Sequence, residues 1–175
     1  MWESAFDNET CDRWIEAGRQ VPQEDATTFG KNAKHRKTEI RWLPDSGIHA
    51  EIHNAMRDYA HRANEIFDVE LRHLPPIQFT EYADVGDHYD WHHDIDWDRH
   101  DDSQRKLSIT IQLSDSSSYT GGDFSIRYFE SPENAALRQR GSVLVFLPYL
   151  EHRVTPIESG SRISLVGWYE GPKWR

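Results

Sequence analysis

Tyr89-Asp90-Trp91-His92-His93-Asp94 is the stretch on which the reading of this chain turns. On an extended strand, side chains i and i+2 leave the same face. His92 and Asp94 can therefore aim an imidazole and a carboxylate at one point from a single strand, with His93 and Ile95 pointing the other way. A third donor must come from a strand brought alongside by the fold. His152 opens such a strand, between Pro148 and Pro156, and Arg162 follows ten residues after it.

Two histidines and one carboxylate on one face form the donor set that holds non-haem iron(II) while leaving open positions on the ion. A His-x-Asp triplet alone is a weak signal in a chain with ten histidines. The 84–102 stretch also carries Asp84, Asp87, Asp90, Asp94, Asp96, Asp98, Asp101 and Asp102, which would suit a solvated acidic loop or a weak hard-cation site. Asp96 competes with Asp94 for the carboxylate role, but the residue two before it is Asp94, not a histidine.

The chain's 175 residues are enough for one domain with a substantial core. Charged residues make up 29%, yet seven Trp, seven Tyr and seven Phe supply bulky packing groups and argue against disorder. A net charge of −10 argues against a general nucleic-acid-binding role, which needs a basic footprint. The single cysteine, Cys11, excludes an intramolecular disulfide framework and a Cys-rich zinc site. No apolar run approaches a membrane span and the N-terminus lacks the apolar region of a signal peptide, so a soluble cytoplasmic protein without membrane attachment is expected.

Along the chain, helical patterns come first. Asp7 or Asn8 can cap a helix carrying Cys11, Trp14 and Ile15 that fades at Gly18. A second helix is predicted over 48–67, where Ile48, Ile52, Ala55, Met56, Tyr59, Ala63 and Ile66 recur at helical spacing, with His53 and His61 on the exposed flank. The 29–44 stretch reads as strand or loop. After Pro75-Pro76 come short strands at 77–82, 107–113, 124–129, 142–147, 151–157 and 162–170, punctuated by Gly121-Gly122, Ser131-Pro132, Gly141, Pro148 and Gly160. Leu107, Ile109, Ile111 and Leu113 take one face of their strand, and Ser108, Thr110 and Gln112 the other. That polar face either meets solvent, as alternating strands commonly do, or lines a barrel interior that holds something polar. Helices followed by many short strands suit a mainly β jelly-roll barrel buttressed by N-terminal helices.

From about Tyr82 to Trp168 the chain resembles the 2-oxoglutarate- and iron(II)-dependent dioxygenases of the prolyl 4-hydroxylase group. The resemblance rests on Tyr82-x3-Gly86-x2-Tyr89-x2-His92-x-Asp94, then Arg105-Lys-Leu-Ser-Ile-Thr-Ile-Gln-Leu113, Gly121-Gly-Asp-Phe124, Gly141-Ser-Val-Leu-Val-Phe146 and His152-x3-Pro156-x3-Gly160-x-Arg162-x5-Trp168. It implies one domain over 1–175 with a double-stranded β-helix fold: helical support over about 1–75 and a barrel core over about 76–172. It implies that His92, Asp94 and His152 bind Fe(II), that Arg162 pairs with the distal carboxylate of 2-oxoglutarate, and that Tyr82 and Trp168 line the co-substrate pocket. A guanidinium fork suits a carboxylate, and burying it among Ile163, Leu165 and Val166 would be costly without an anion. Arg105 matches an arginine near the substrate entrance. Where many relatives place a tyrosine against the distal carboxylate, this strand offers Gln112 with Thr110 nearby.

The implied activity is hydroxylation of an unactivated C–H bond, with peptidyl proline as substrate, succinate and carbon dioxide released, and ascorbate keeping the iron reduced. Trp91, Trp97, Tyr119 and Tyr128 could dock a peptide or protein substrate. A free amino acid or other small molecule is the alternative substrate. The rival classes are a non-catalytic metal- or ligand-binding jelly roll and a metal-dependent hydrolase or isomerase on a similar barrel.

Overall fold

The computed structural model describes residues 1–25, 35–127 and 134–175. Tyr128, Ser131-Pro132 and the first part of the 29–44 stretch lie outside the described residues.

Helix α1 (Asn8–Arg19) begins where the sequence places it: the Asp7 carboxylate accepts the Thr10 backbone N–H at 2.8 Å, satisfying one of the donors that a helix N-terminus leaves free. Helix α2 (Ala50–Phe67) buries Ile52, Met56, Tyr59, Ala60 and Ala63. Three expectations for it are corrected. Ile48 and Ile66 are exposed, at 58% and 85%, because Ile48 lies in the 3-10 turn Gly47–His49 ahead of the helix and the buried stripe ends before Ile66. His53 lies on the inner face, fully buried, with Nε2 3.0 Å from the Leu43 carbonyl. A short helix α3 spans Asn134–Arg138.

The twelve strands are β1 (Glu24–Asp25), β2 (Arg36–Lys37), β3 (Glu39–Leu43), β4 (Ile77–Tyr82), β5 (His88–His92), β6 (Ser103–Gln112), β7 (Tyr119–Gly121), β8 (Phe124–Ile126), β9 (Val143–Phe146), β10 (His152–Val154), β11 (Ile157–Gly160) and β12 (Arg162–Pro172). One sheet runs β1-β3-β4-β12-β6-β9, a second β2-β5-β10-β8, and β7 pairs with β11. Their pairings are antiparallel. The result is a double-stranded β-helix backed by helices. The N-terminal region also contributes strands, β3 widening the larger sheet and β2 the smaller.

The period of two along each strand sorts the side chains into two compartments. From β4, β6, β9 and β12, one parity sends Ile77, Phe79, Leu107, Ile109, Ile111, Val143, Val145, Ile163 and Leu165 against the helices in one apolar cluster. Each fully buried Leu or Ile there contributes about 1.5–3 kcal/mol. The opposite parity turns Gln78, Thr80, Tyr82, Thr110, Arg162, Ser164 and Trp168 into a cavity between the sheets. Every residue of β4 is therefore buried, where alternation alone would leave one face in water. The polar face of β6 is the interior one: Ser108 and Gln112 are buried and Thr110 lines the cavity.

Candidate metal centre and active site

His92 closes β5 and His152 opens β10, and these residues are direct partners in the antiparallel register. Asp94 is not on the same strand as His92. The strand stops at His92, and the turn beyond it is fixed by Asp94 and Ile95 backbone N–H groups that both donate to the Pro148 carbonyl. Asp94 still reaches the same point, by loop geometry instead of strand pleat. Its Oδ1 lies 3.6 Å from His92 Nε2 and its Oδ2 3.5 Å from His152 Nε2. One donor atom from each of the three residues falls within 4.8 Å of the others.

The hydrogen bonds around these residues leave both histidine Nε2 atoms and Asp94 Oδ1 free. His92 Nδ1 lies 2.8 Å from the Asp90 carbonyl and His152 Nδ1 2.8 Å from the Leu150 carbonyl. A carbonyl only accepts, so each Nδ1 carries a proton, and in the neutral ring each Nε2 is left with the lone pair that faces Asp94. Ser108 donates to Asp94 Oδ2 at 2.6 Å, and Arg105 Nη1 donates to the Asp94 backbone carbonyl at 3.0 Å. Such outer contacts are what orient metal ligands. Tyr89 stacks on His92 with ring centroids 3.4 Å apart and planes within 9°. Burial, with the second histidine beside it, lowers the His92 pKa to about 3. Burial works to raise Asp94, but His152, His92, Arg105 and the Ser108 hydrogen bond outweigh it and hold the carboxyl at about 2. At neutral pH His92 is a neutral imidazole and Asp94 an anion, the protonation states a divalent cation needs. Two imidazoles and one carboxylate on one side of a cavity suit iron(II).

Arg162 stands at the start of β12, only 5% exposed, and its one hydrogen bond within the described residues is to the Ser164 hydroxyl at 3.5 Å. Glu158 does not pair with it. Its guanidinium carbon lies 5.5 Å from the Tyr82 ring. Gly122, at φ +64°, passes so close that a Cβ there would sit 3.1 Å from Arg162 Cδ and 2.7 Å from Ile157 Cδ1. The Gly121-Gly122 turn thus also makes room for the arginine. Trp168 lines the cavity with a buried indole Nε1 that has no partner among the described residues, and the Arg105 guanidinium rests 3.9 Å over its ring. Burial keeps the Tyr82 hydroxyl protonated, raising its pKa against the pull of Arg36 and Arg162. Gln112 reaches a small hollow shared with Thr110 and Arg162, but its Nε2 donates to the Ser114 carbonyl at 3.1 Å and to the Tyr119 hydroxyl at 3.2 Å.

The aromatic residues picked for peptide docking separate. Trp97 is 58% exposed and, with the half-buried Trp91, borders an open depression outside His92. Tyr119 is a core residue under Gln112, not a docking surface, because β7 turns it inward against Phe124 and Ile157. Sequence reasoning missed Arg36, Gln78, Thr80 and Ser108, all gathered at this site by strand pairing between distant segments. Ser108 and Thr80 had a signal, a polar residue on the inward parity of an apolar strand; Arg36 had none beyond its place in a basic run.

The model of the 2OG-Fe(II) oxygenase superfamily matches residues 77–170, from the first residue of β4 to β12, and the chain belongs to that superfamily. Its relatives there are hydroxylases by name. A PKHD-type hydroxylase of Synechococcus sp. (strain CC9311) is 29% identical over 169 residues, covering 94% of this chain and 74% of that protein. Another, of Synechococcus sp. (strain CC9902), is 36% identical over 88 residues, which are 50% of this chain but only 38% of the relative's length. The crystal structure of a Pseudomonas putida prolyl-4-hydroxylase superposes with a TM-score of 0.76 at 19% identity, covering 98% of this chain and 91% of that one. This likeness is one of fold.

Proposed function

We propose that the chain is a single catalytic domain, a non-haem iron(II)- and 2-oxoglutarate-dependent dioxygenase that hydroxylates an unactivated C–H bond. The observation that carries the reading is Arg162, a buried cation with no anionic partner among the described residues, set beside the His92–Asp94–His152 cluster. A buried charge of this kind is costly unless an anion joins it. A hydrolytic metal site or a plain metal-binding barrel has no use for it.

In this reading His92, Asp94 and His152 hold the iron. Iron(II) bound there supplies the centre for chelating 2-oxoglutarate and using dioxygen, with succinate and carbon dioxide released as the C–H bond is hydroxylated. Arg162 takes the distal carboxylate of 2-oxoglutarate through its fork of N–H donors. Trp168 and Tyr82 wall that pocket, and the free indole N–H of Trp168 is a donor for a ligand oxygen. Gln112 supports this end through Tyr119 and does not need to touch the co-substrate. Arg105 and Ser108 keep Asp94 in place. Tyr82, Tyr89, Phe124, Phe146 and Trp168 in the cavity wall limit the access of water to the reacting carbon. Ascorbate serves as reductant. Peptidyl proline is the substrate that the prolyl-4-hydroxylase fold likeness and the PKHD-type relatives support, entering past Arg105, Trp91 and Trp97.

The test begins without oxygen. Adding Fe(II) and 2-oxoglutarate produces a weak visible charge-transfer band in the wild type and none in Asp94→Ala or His152→Ala. In air, mass spectrometry of proline-containing peptides shows the gain of one oxygen atom. Normal turnover by either variant overturns the ligand assignment.

A further inference from the structure

Arg36 is a second buried cation in the same cavity. It is 8% exposed, and two of its N–H groups donate to neutral acceptors, the Thr38 hydroxyl at 3.0 Å and the Gln78 amide oxygen at 2.7 Å. A guanidinium has five N–H donors, so those contacts leave it under-used. No described carboxylate pairs with it, and residues 26–34, just before it, contain neither Asp nor Glu. It stands opposite Tyr89 in the β2–β5 register, with its guanidinium carbon 4.5 Å from the Tyr89 ring, and Tyr89 in turn stacks on His92. One ring, that of Tyr89, therefore links Arg36 to the His92 imidazole.

With iron and co-substrate bound as proposed above, two charges on iron(II) and one on Arg162 are matched by Asp94 and the two carboxylates of 2-oxoglutarate. Arg105, the other guanidinium near the site, has the charge of Glu170 beside it, and Arg99, which also bonds Glu170, is paired with Asp101. Arg36 alone is left without an anion, and burial of an unmatched cation is unfavourable.

We propose that Arg36 recognises a carboxylate on the prime substrate, so that this site selects an acidic, carboxylate-bearing proline compound over its neutral counterpart. The inference rests on the reading of the cavity as a 2-oxoglutarate site and names the substrate chemistry of that site. The carboxylate has two sources: the α-carboxylate of a free imino acid, or an acidic side chain next to proline in a peptide.

The test uses the full chain loaded with Zn(II) and saturated with 2-oxoglutarate, titrated calorimetrically with two matched pairs: L-proline against L-prolinamide, and acetyl-Pro-Glu-amide against acetyl-Pro-Gln-amide. At least one acidic member binds about tenfold tighter than its neutral partner, and the pair that shows the preference identifies the source. Arg36→Gln erases the preference, Arg36→Lys keeps part of it, and 2-oxoglutarate affinity changes less than threefold in both. Equal binding within both pairs, including no binding at all, overturns the proposal, as does a preference that survives Arg36→Gln. A merely structural role for Arg36 would weaken acidic and neutral ligands alike. Failure of the wild type to bind 2-oxoglutarate in the preliminary titration overturns the underlying co-substrate reading instead, with Arg36 falling along with it.

Discussion

At the scale of single residues, the site depends on how its donors are held as much as on which they are. Ser108 gives Asp94 Oδ2 its hydrogen bond inside a region closed to water. Ser108→Ala leaves that oxygen without its donor and frees the carboxylate to turn. Outer-shell losses of this kind cost roughly 10–100-fold in metal affinity, so Fe(II) or Zn(II) titration of the variant should show a drop in that range with the fold intact. Arg162→Met removes the fork and should raise the KM for 2-oxoglutarate by at least tenfold, with metal affinity unchanged; Arg162→Lys should fall between, since an ammonium keeps the charge but not the bidentate geometry. These roles were legible to different degrees. His92, Asp94, His152 and Arg162 stand out in the chain through the family resemblance of the ordered run from Tyr82 to Trp168, since the His-x-Asp triplet alone is a weak signal. Arg36 could not, because an arginine in a basic stretch reads as a surface residue until β2 is seen to deliver it inside.

At the scale of elements, helix α1 and helix α2 meet the sheet at contacts that sequence periodicity does not resolve. Gly18 in α1 lies against the Phe79 ring, where a Cβ would sit 2.2 Å from a ring carbon. Gly18→Ala should destabilise the fold by about 1–3 kcal/mol through overpacking, visible as a lower urea midpoint, although alanine favours helix. His53 joins α2 to the carbonyl of Leu43 at the end of β3. Burial lowers its pKa below the usual 6.5. The unfolded chain therefore takes up a proton first as pH falls through that value, and stability declines until the folded pKa is passed. Urea midpoints should fall between pH 7.5 and 5.5, with a shallower slope in His53→Asn. The apolar stripe of α2 placed His53 on the outside because two histidines look alike in a polar flank; only the packing of β3 distinguishes it from the exposed His61.

At the scale of the whole molecule, the two sheets converge on one cavity while the helices insulate the opposite side. The order of helices and short strands made the barrel legible; the β11–β7 pair and the placement of β2 and β3 on different sheets did not follow from local pattern, because pairing partners are set by long-range topology. Iron and 2-oxoglutarate need the assembled cavity, which the unfolded chain lacks, so they should raise the melting temperature. At a hundredfold excess over Kd the linkage is about 2.7 kcal/mol, roughly 5–10 °C for a chain of this size. The shift should vanish in Asp94→Ala, measured by differential scanning fluorimetry. Among the described residues no helix is long and apolar enough to cross a membrane.

The sorting of β12 by parity, with Arg162, Ser164 and Trp168 facing one way and Ile163, Leu165 and Tyr169 the other, has an evolutionary corollary. Exchange of one amino acid for another alters a single neighbour, but gain or loss of one codon anywhere between 162 and 168 turns the remainder inside out. Lineages of this gene should therefore vary in spelling here outside the cavity residues Arg162 and Trp168 while keeping an invariant length, and indel scanning should find these seven positions far less forgiving than substitution scanning does.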